Sequence, residues 1–185
     1  MIAINQRKHL LFLTLFVSVL FLAWLWYTLS GGSWHKVRME PGTEIFAIQE
    51  KQIRRFVYEG SISTLTATRK NIADSDFQID IKFNDGRLSD RCISGNTFKS
   101  VLSSFCSIRV KRAFQDKSAQ RSYPIDLGSV VIEDFSKLSP ATWKFKSTTT
   151  KSAVLAIDEM QSYEVDIGAD SFDKLNSGCK NLAAQ

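Results

Sequence analysis

The chain has 185 residues, enough for one folded domain plus a short appendage and too few for two independent cores of ordinary size. Its 24 basic and 19 acidic side chains leave a net charge of +5, and Arg7 and Lys8 at the N-terminus supply two of the positive charges. That excess is too mild for the strongly basic face that nucleic-acid binding requires, so nucleic acid is not an expected partner.

Residues 10–29 contain no charged side chain. As a helix at 1.5 Å per residue, such a run spans about 30 Å, the thickness of the hydrocarbon core of a bilayer. It holds eight Leu, three Phe and two Val, which favour insertion by about 4–8 kcal/mol. Trp24, Trp26 and Tyr27 cluster at its end, where amphipathic rings favour the headgroup layer. A cleaved signal peptide has a shorter apolar core and a small-x-small site, which Ser30-Gly31-Gly32 matches poorly. The run therefore predicts a single-pass signal-anchor, with residues 1–9 as a cytoplasmic tail and residues 30–46 as a juxtamembrane linker. Arg7 and Lys8 with the terminal amine, set against Lys36 and Arg38, place the N-terminus inside and the main domain outside the cytoplasm, in a periplasm where the cell has one. Thr14 and Ser18, four apart, form a small-residue face on which a partner helix can pack, or else each hydroxyl bonds a carbonyl one turn back.

Residues 47–185 read as a β-rich domain. Strands are expected at 53–59, 64–69 and 78–83, the last alternating cleanly as Gln-Ile-Asp-Ile-Lys-Phe. Asn84-Asp85-Gly86 is a hairpin turn leading to a strand at 87–93. Gly95-Asn96-Thr97 caps a helix over 98–108, whose Phe98, Val101, Leu102 and Phe105 fall at helical spacing. Further strands are expected at 129–135 and 142–147, then a hairpin of 153–158 and 163–167. Ala169-Asp170-Ser171 caps a last helix over 172–182. The caps and the first apolar residues of the two helices align at an offset of 74 positions: Phe98 with Phe172, Val101 with Leu175, Ser103 with Ser177. The expected fold class is accordingly α+β: one N-terminal transmembrane helix followed by a mostly antiparallel β domain built from two β4-α-like units, an internal repeat over 47–114 and 126–182.

Chemistry-bearing motifs are sparse. The two histidines, His9 and His35, flank the apolar run, so the domain holds none for general-base, triad or metal work. No Cys-x-x-Cys-His, glycine-rich phosphate loop or Gly-x-Ser-x-Gly occurs. No catalytic residue, metal site or cofactor is expected. Cys92, Cys106 and Cys179 allow three disulfide pairings, which spacing does not choose among. Asp74, Asp76 and Asp80 resemble a weak cation cluster but lack the glycine bend and the bidentate Glu, which favours a solvated turn. Arg109, Lys111 and Arg112, with Lys117 and Arg121 beyond, form one basic stretch suited to anionic lipid or an acidic partner surface, or to guarding an edge strand against self-association.

These features together predict a non-catalytic accessory or structural subunit of a larger membrane protein complex, such as a respiratory, photosynthetic or envelope complex, with other membrane subunits as partners. The alternative is a membrane-anchored module binding a ligand, a lipid or an envelope polymer, with Trp143, Phe145 and Tyr163 as candidate aromatic contacts, although Trp143 and Phe145 alternate on one strand face, which favours the core for them. An enzyme working with Asp, Glu, Ser, Lys or Tyr alone is the weakest reading.

Overall fold

The computed structural model describes residues 16–21, 39–46, 48–114, 117–136, 140–158 and 161–184. The chain forms two compact units, residues 1–37 and 38–185. In the first unit, residues 16–21 are helical and expose Phe16, Val17, Val19, Leu20 and Phe21. Among the described residues no helix is long and apolar enough to cross a membrane, so the expected single-pass helix is corrected. Thr14, Trp24, Trp26 and Tyr27 lie outside the described residues; Ser18 sits exposed among the helical residues 16–21.

The second unit is mostly a single large sheet. Its strands are β1 (Ile53–Glu59), β2 (Ser63–Thr68), β3 (Gln78–Phe83), β4 (Asp90–Ile93), β5 (Val110–Phe114), β6 (Ile125–Asp134), β7 (Ala141–Ser147), β8 (Val154–Ile157) and β9 (Ser162–Val165). The helices are α1 (Asn96–Cys106), α2 (Asp170–Leu175) and α3 (Cys179–Leu182). The strand order is β4-β3-β2-β1-β6-β7-β8-β9-β5, and every neighbouring pair is antiparallel.

This corrects the expectation of two β4-α-like units. β1 pairs with β6 from Arg55↔Glu133 to Glu59↔Ser129, and beyond a register shift at Ile53↔Asp134. The backbone groups along the supposed boundary therefore satisfy one another, and the two meanders are one continuous sheet. β5 breaks the scheme further. It crosses from α1 to the far edge and pairs with β9, while segment 42–45 lies against its start through Gly42 N–H to Val110 O (2.7 Å) and Ile45 N–H to Ile108 O (3.0 Å).

Period-two alternation gives the sheet two faces. Leu65, Ala67, Ile79, Ile81, Val130, Ile132, Trp143 and Phe145 are buried on the inner face. Thr64, Thr66, Asp80, Lys82 and Lys144 stand on the other, at intermediate or full exposure. α1 turns Phe98, Val101, Leu102 and Phe105 onto the inner face, as their spacing requires. Phe105 is the hub: its ring meets Phe56 at 5.5 Å, Phe145 at 6.0 Å and Phe172 of α2 at 5.2 Å, in edge-to-face geometry.

Both helix starts differ from the expected caps. Neither Gly95 nor Ala169 caps through a side chain. Gly95 instead donates its N–H to Leu182 O at 2.9 Å, and a Cβ there would collide with the backbone of Ala183 and Ala184. The expected helix over 172–182 is broken at Gly178, whose φ of +82° is left-handed. The break lets Cys179 begin α3 and turn back towards β4.

Because Phe105 joins both halves of the inner face, Phe105→Ala is expected to destabilise the fold by about 3–5 kcal/mol. Urea unfolding followed by fluorescence reads this directly, and the loss should appear as a lower midpoint at unchanged slope.

Candidate functional site

The connection from β2 to β3, residues 69–77, folds back over the end of the sheet, and one side chain holds it there. In the alternation of β2, Leu65 and Ala67 are buried, so residue 69 inherits the inward phase. That residue is Arg69, only 7% exposed. Its Nη1 donates to Asp74 O (3.2 Å), and its Nη2 to Glu50 O (3.1 Å), to Ile53 O (2.7 Å) and to Lys51 O. The guanidinium also lies 4.8 Å from the Phe77 ring centroid and 5.8 Å from that of Phe135. Carbonyl oxygens, not a carboxylate, meet its charge. Burial accordingly lowers its pKa, with Glu50 and Asp74 pulling it back up from a distance. Its Nε is buried with no hydrogen-bond partner among the described residues.

Against this loop lies a cleft of about 570 Å³, within the range of ligand sites. It is lined by the cross-strand row Thr68↔Gln78↔Ile93. Arg69, Lys70, Asp74, Asp76 and Phe77 of the loop line it as well, with Arg91 and Cys92 of β4. Ile93 is 66% exposed and belongs to β4, the terminal strand of the sheet.

The nearby acids are engaged locally. Asp76 accepts from Lys99 Nζ at 2.7 Å, which holds its carboxyl below the usual range. Asp80 pairs with Arg91 across the strands. Asp74 accepts the Asn71 N–H at 3.0 Å. The three aspartates therefore act as separate partners, and among the described residues no group of three His, Cys, Asp or Glu side chains gathers into a metal-binding set.

On the inner side of the same strand, Cys92 is disulfide-bonded to Cys179, with Cα atoms 5.8 Å apart and 87 positions between them in sequence. This is the pairing that joins β4 to α3. Cys106 stays free and half-buried on α1. Burial, with the carboxylates of Glu50 and Glu44 adding to it, pushes its thiol up to about 12, so at neutral pH it is a protonated, unreactive group.

The basic stretch lies at the opposite edge. Arg109 pairs with Glu44 at 3.2 Å and donates its N–H to Asp166 Oδ1 at 2.7 Å. Arg112 faces Glu164 across the ladder and places its guanidinium 5.1 Å from the Phe114 ring. Lys111 and Arg112 line a smaller depression of about 340 Å³ beside Met39 and Pro41. The structure thus spreads the sequence-derived site residues over two edges of the sheet. Trp143 and Phe145 are buried in the core, as their alternation favoured, and Tyr163 is buried with them. His9 and His35 lie outside the described residues.

The fold and this geometry define a class: a disulfide-tied, single-sheet antiparallel β domain with an open cleft at one edge and a basic stretch at the other. Compared with known proteins, the chain matches no family model, no curated protein and no solved structure.

Arg69 was legible only through parity, as a charge falling on the buried phase of a Thr-x-Thr-x-Thr strand; nothing in the sequence marked the cleft itself. Arg69→Lys keeps the charge but loses the planar fork that reaches several carbonyls at once. It is expected to lower stability by about 2–3 kcal/mol and to speed amide exchange in residues 70–76, measured by hydrogen–deuterium exchange.

Proposed function

We propose that this chain is a non-catalytic accessory subunit of a larger membrane-associated assembly, with its folded unit in an oxidising compartment outside the cytosol. The observation that carries this reading is the Cys92–Cys179 disulfide. Stable disulfides belong to oxidising compartments. Closing a loop this long constrains the unfolded chain by about 4–5 kcal/mol in the chain-entropy view. Membrane association is supported by the uncharged sequence of residues 10–29 and by the apolar side chains exposed at 16–21. Respiratory, photosynthetic and envelope assemblies all use subunits of this kind.

The non-catalytic reading rests on how the polar groups are used. Arg69 staples a loop, Asp76 and Asp80 are paired, and Cys106 is held protonated. None is poised as a nucleophile beside a base. The basic residues Lys111 and Arg112 suit anionic headgroups or an acidic partner surface. A second reading, a module binding a ligand, lipid or envelope polymer, is favoured by the ligand-sized volume of the cleft at β4.

Extraction of native membranes in mild detergents, followed by native electrophoresis, separates the two. The accessory reading expects co-migration with larger species in at least one detergent. Migration as a lone monomer in all of them contradicts it.

A further inference from the structure

We infer that the cleft beside β4 binds a neutral saccharide carrying an acetamido group, with the acetyl methyl against Ile93 and the amide on Gln78. This rests on the second reading above, a module that binds a ligand or an envelope polymer, and names the class of that ligand.

The charges of the cleft balance. Arg91 is paired with Asp80, and Asp76 with Lys99. Arg69 is buried and met by carbonyl oxygens, so its charge is matched within the fold. Lys70 and Asp74 remain. Both are exposed and line the cleft, and among the described residues neither forms an ion pair. One is a cation and the other an anion, so together they add no net charge. A ligand of either sign meets as much repulsion as attraction there, and a neutral ligand is the complementary one.

The strand row sets the polarity of that ligand. Thr68 and Gln78 are direct cross-strand partners, and neither side chain has a hydrogen-bond partner among the described residues. An acyl chain laid over them would strip their water and supply no hydrogen bond, which disfavours lipid. The Gln78 carboxamide offers both N–H donors and a carbonyl acceptor, so a second amide matches it with one donor and one acceptor. Ile93 is the next partner in the same row and is 66% exposed. An N-acetyl group brings an amide and a methyl at fixed spacing, one for each of these neighbours.

The loop supplies the remaining contacts. Lys70 only donates, and the Asp74 carboxylate, which takes the Asn71 N–H through Oδ2 at 3.0 Å, only accepts. A hydroxyl serves either one. A pyranose ring carries such groups around its rim and meets the loop and the strand row together, whereas an extended peptide sets its backbone groups along a line.

The test is a titration of the full chain with tri-N-acetylchitotriose, in micelles of a detergent without a sugar headgroup. NMR reads the backbone amides of Thr68, Gln78 and Ile93 and the side-chain amide of Gln78. Saturable shifts are expected at these groups. Gln78→Ala and Ile93→Ser, both at exposed positions, should each weaken binding by about fivefold to tenfold with the rest of the spectrum unchanged. Thr142→Lys on β7 should leave binding intact. Absence of shifts at millimolar saccharide overturns the inference. So does an equal response to maltotriose, which has the hydroxyls without the acetamide, or to a capped alanine–asparagine peptide, which assigns the cleft to peptides. Shifts at the same groups from a short-chain alcohol, with none from the saccharide, defeat this inference and leave the ligand-binding reading standing. Silence towards every probe defeats both.

Discussion

A nine-stranded antiparallel sheet with one apolar face must have that face covered, and among the described residues of the second unit the α-helices are of 11, 6 and 4 residues. Everything else follows from how so little helix is made sufficient. The helices bring rings of large area, and Phe105 touches partners from β1, β7 and α2 at once. The shortest helix, α3, is too brief to hold its place by its own backbone bonding. It is held by the Cys92–Cys179 bond, by burial of Leu182 and by the Gly95 N–H to Leu182 carbonyl contact. The disulfide therefore stands where packing alone is thinnest, at the edge strand β4.

The same economy accounts for Arg69. Residues 70–76 of the loop are exposed, Phe77 at its end packs on Phe98 in the core, and the buried Arg69 guanidinium supplies several directed bonds where a small apolar side chain would supply none. The cleft beside β4 is lined by this same loop, through Arg69, Lys70, Asp74, Asp76 and Phe77. A change that loosens the loop therefore reshapes the cleft as well.

Local pattern carried far in the sequence, and long-range pairing did not. β1 and β3 lie where alternation put them, Gly86 takes the positive φ of a hairpin turn, and α1 buries the residues its periodicity marked. The architecture was misjudged because nothing local says that β1 and β6 hydrogen-bond to each other. Two similar runs of strands then read as two units, when the pairing merges them into one sheet. β5 was legible as a charged edge strand within the basic stretch, with Lys111 and Arg112 exposed, but its partner β9 was not. The spans that bear on a membrane helix were judged by hydropathy alone, and the described structure supplies only a short helical stretch there. The disulfide partner of Cys92 was undecidable from spacing because the break at Gly178, which aims Cys179 at β4, is a tertiary event.

The central claim is that the folded unit is closed by Cys92–Cys179 in the compartment where it works, with Cys106 left as a half-buried free thiol. Acid-quenching of intact cells, denaturation, and labelling with a mass-tagged maleimide before any reductant is added counts the free thiols of the native chain. The account predicts a single label, mapping to Cys106, and all three cysteines labelled only after reduction. Three labels before reduction would contradict it.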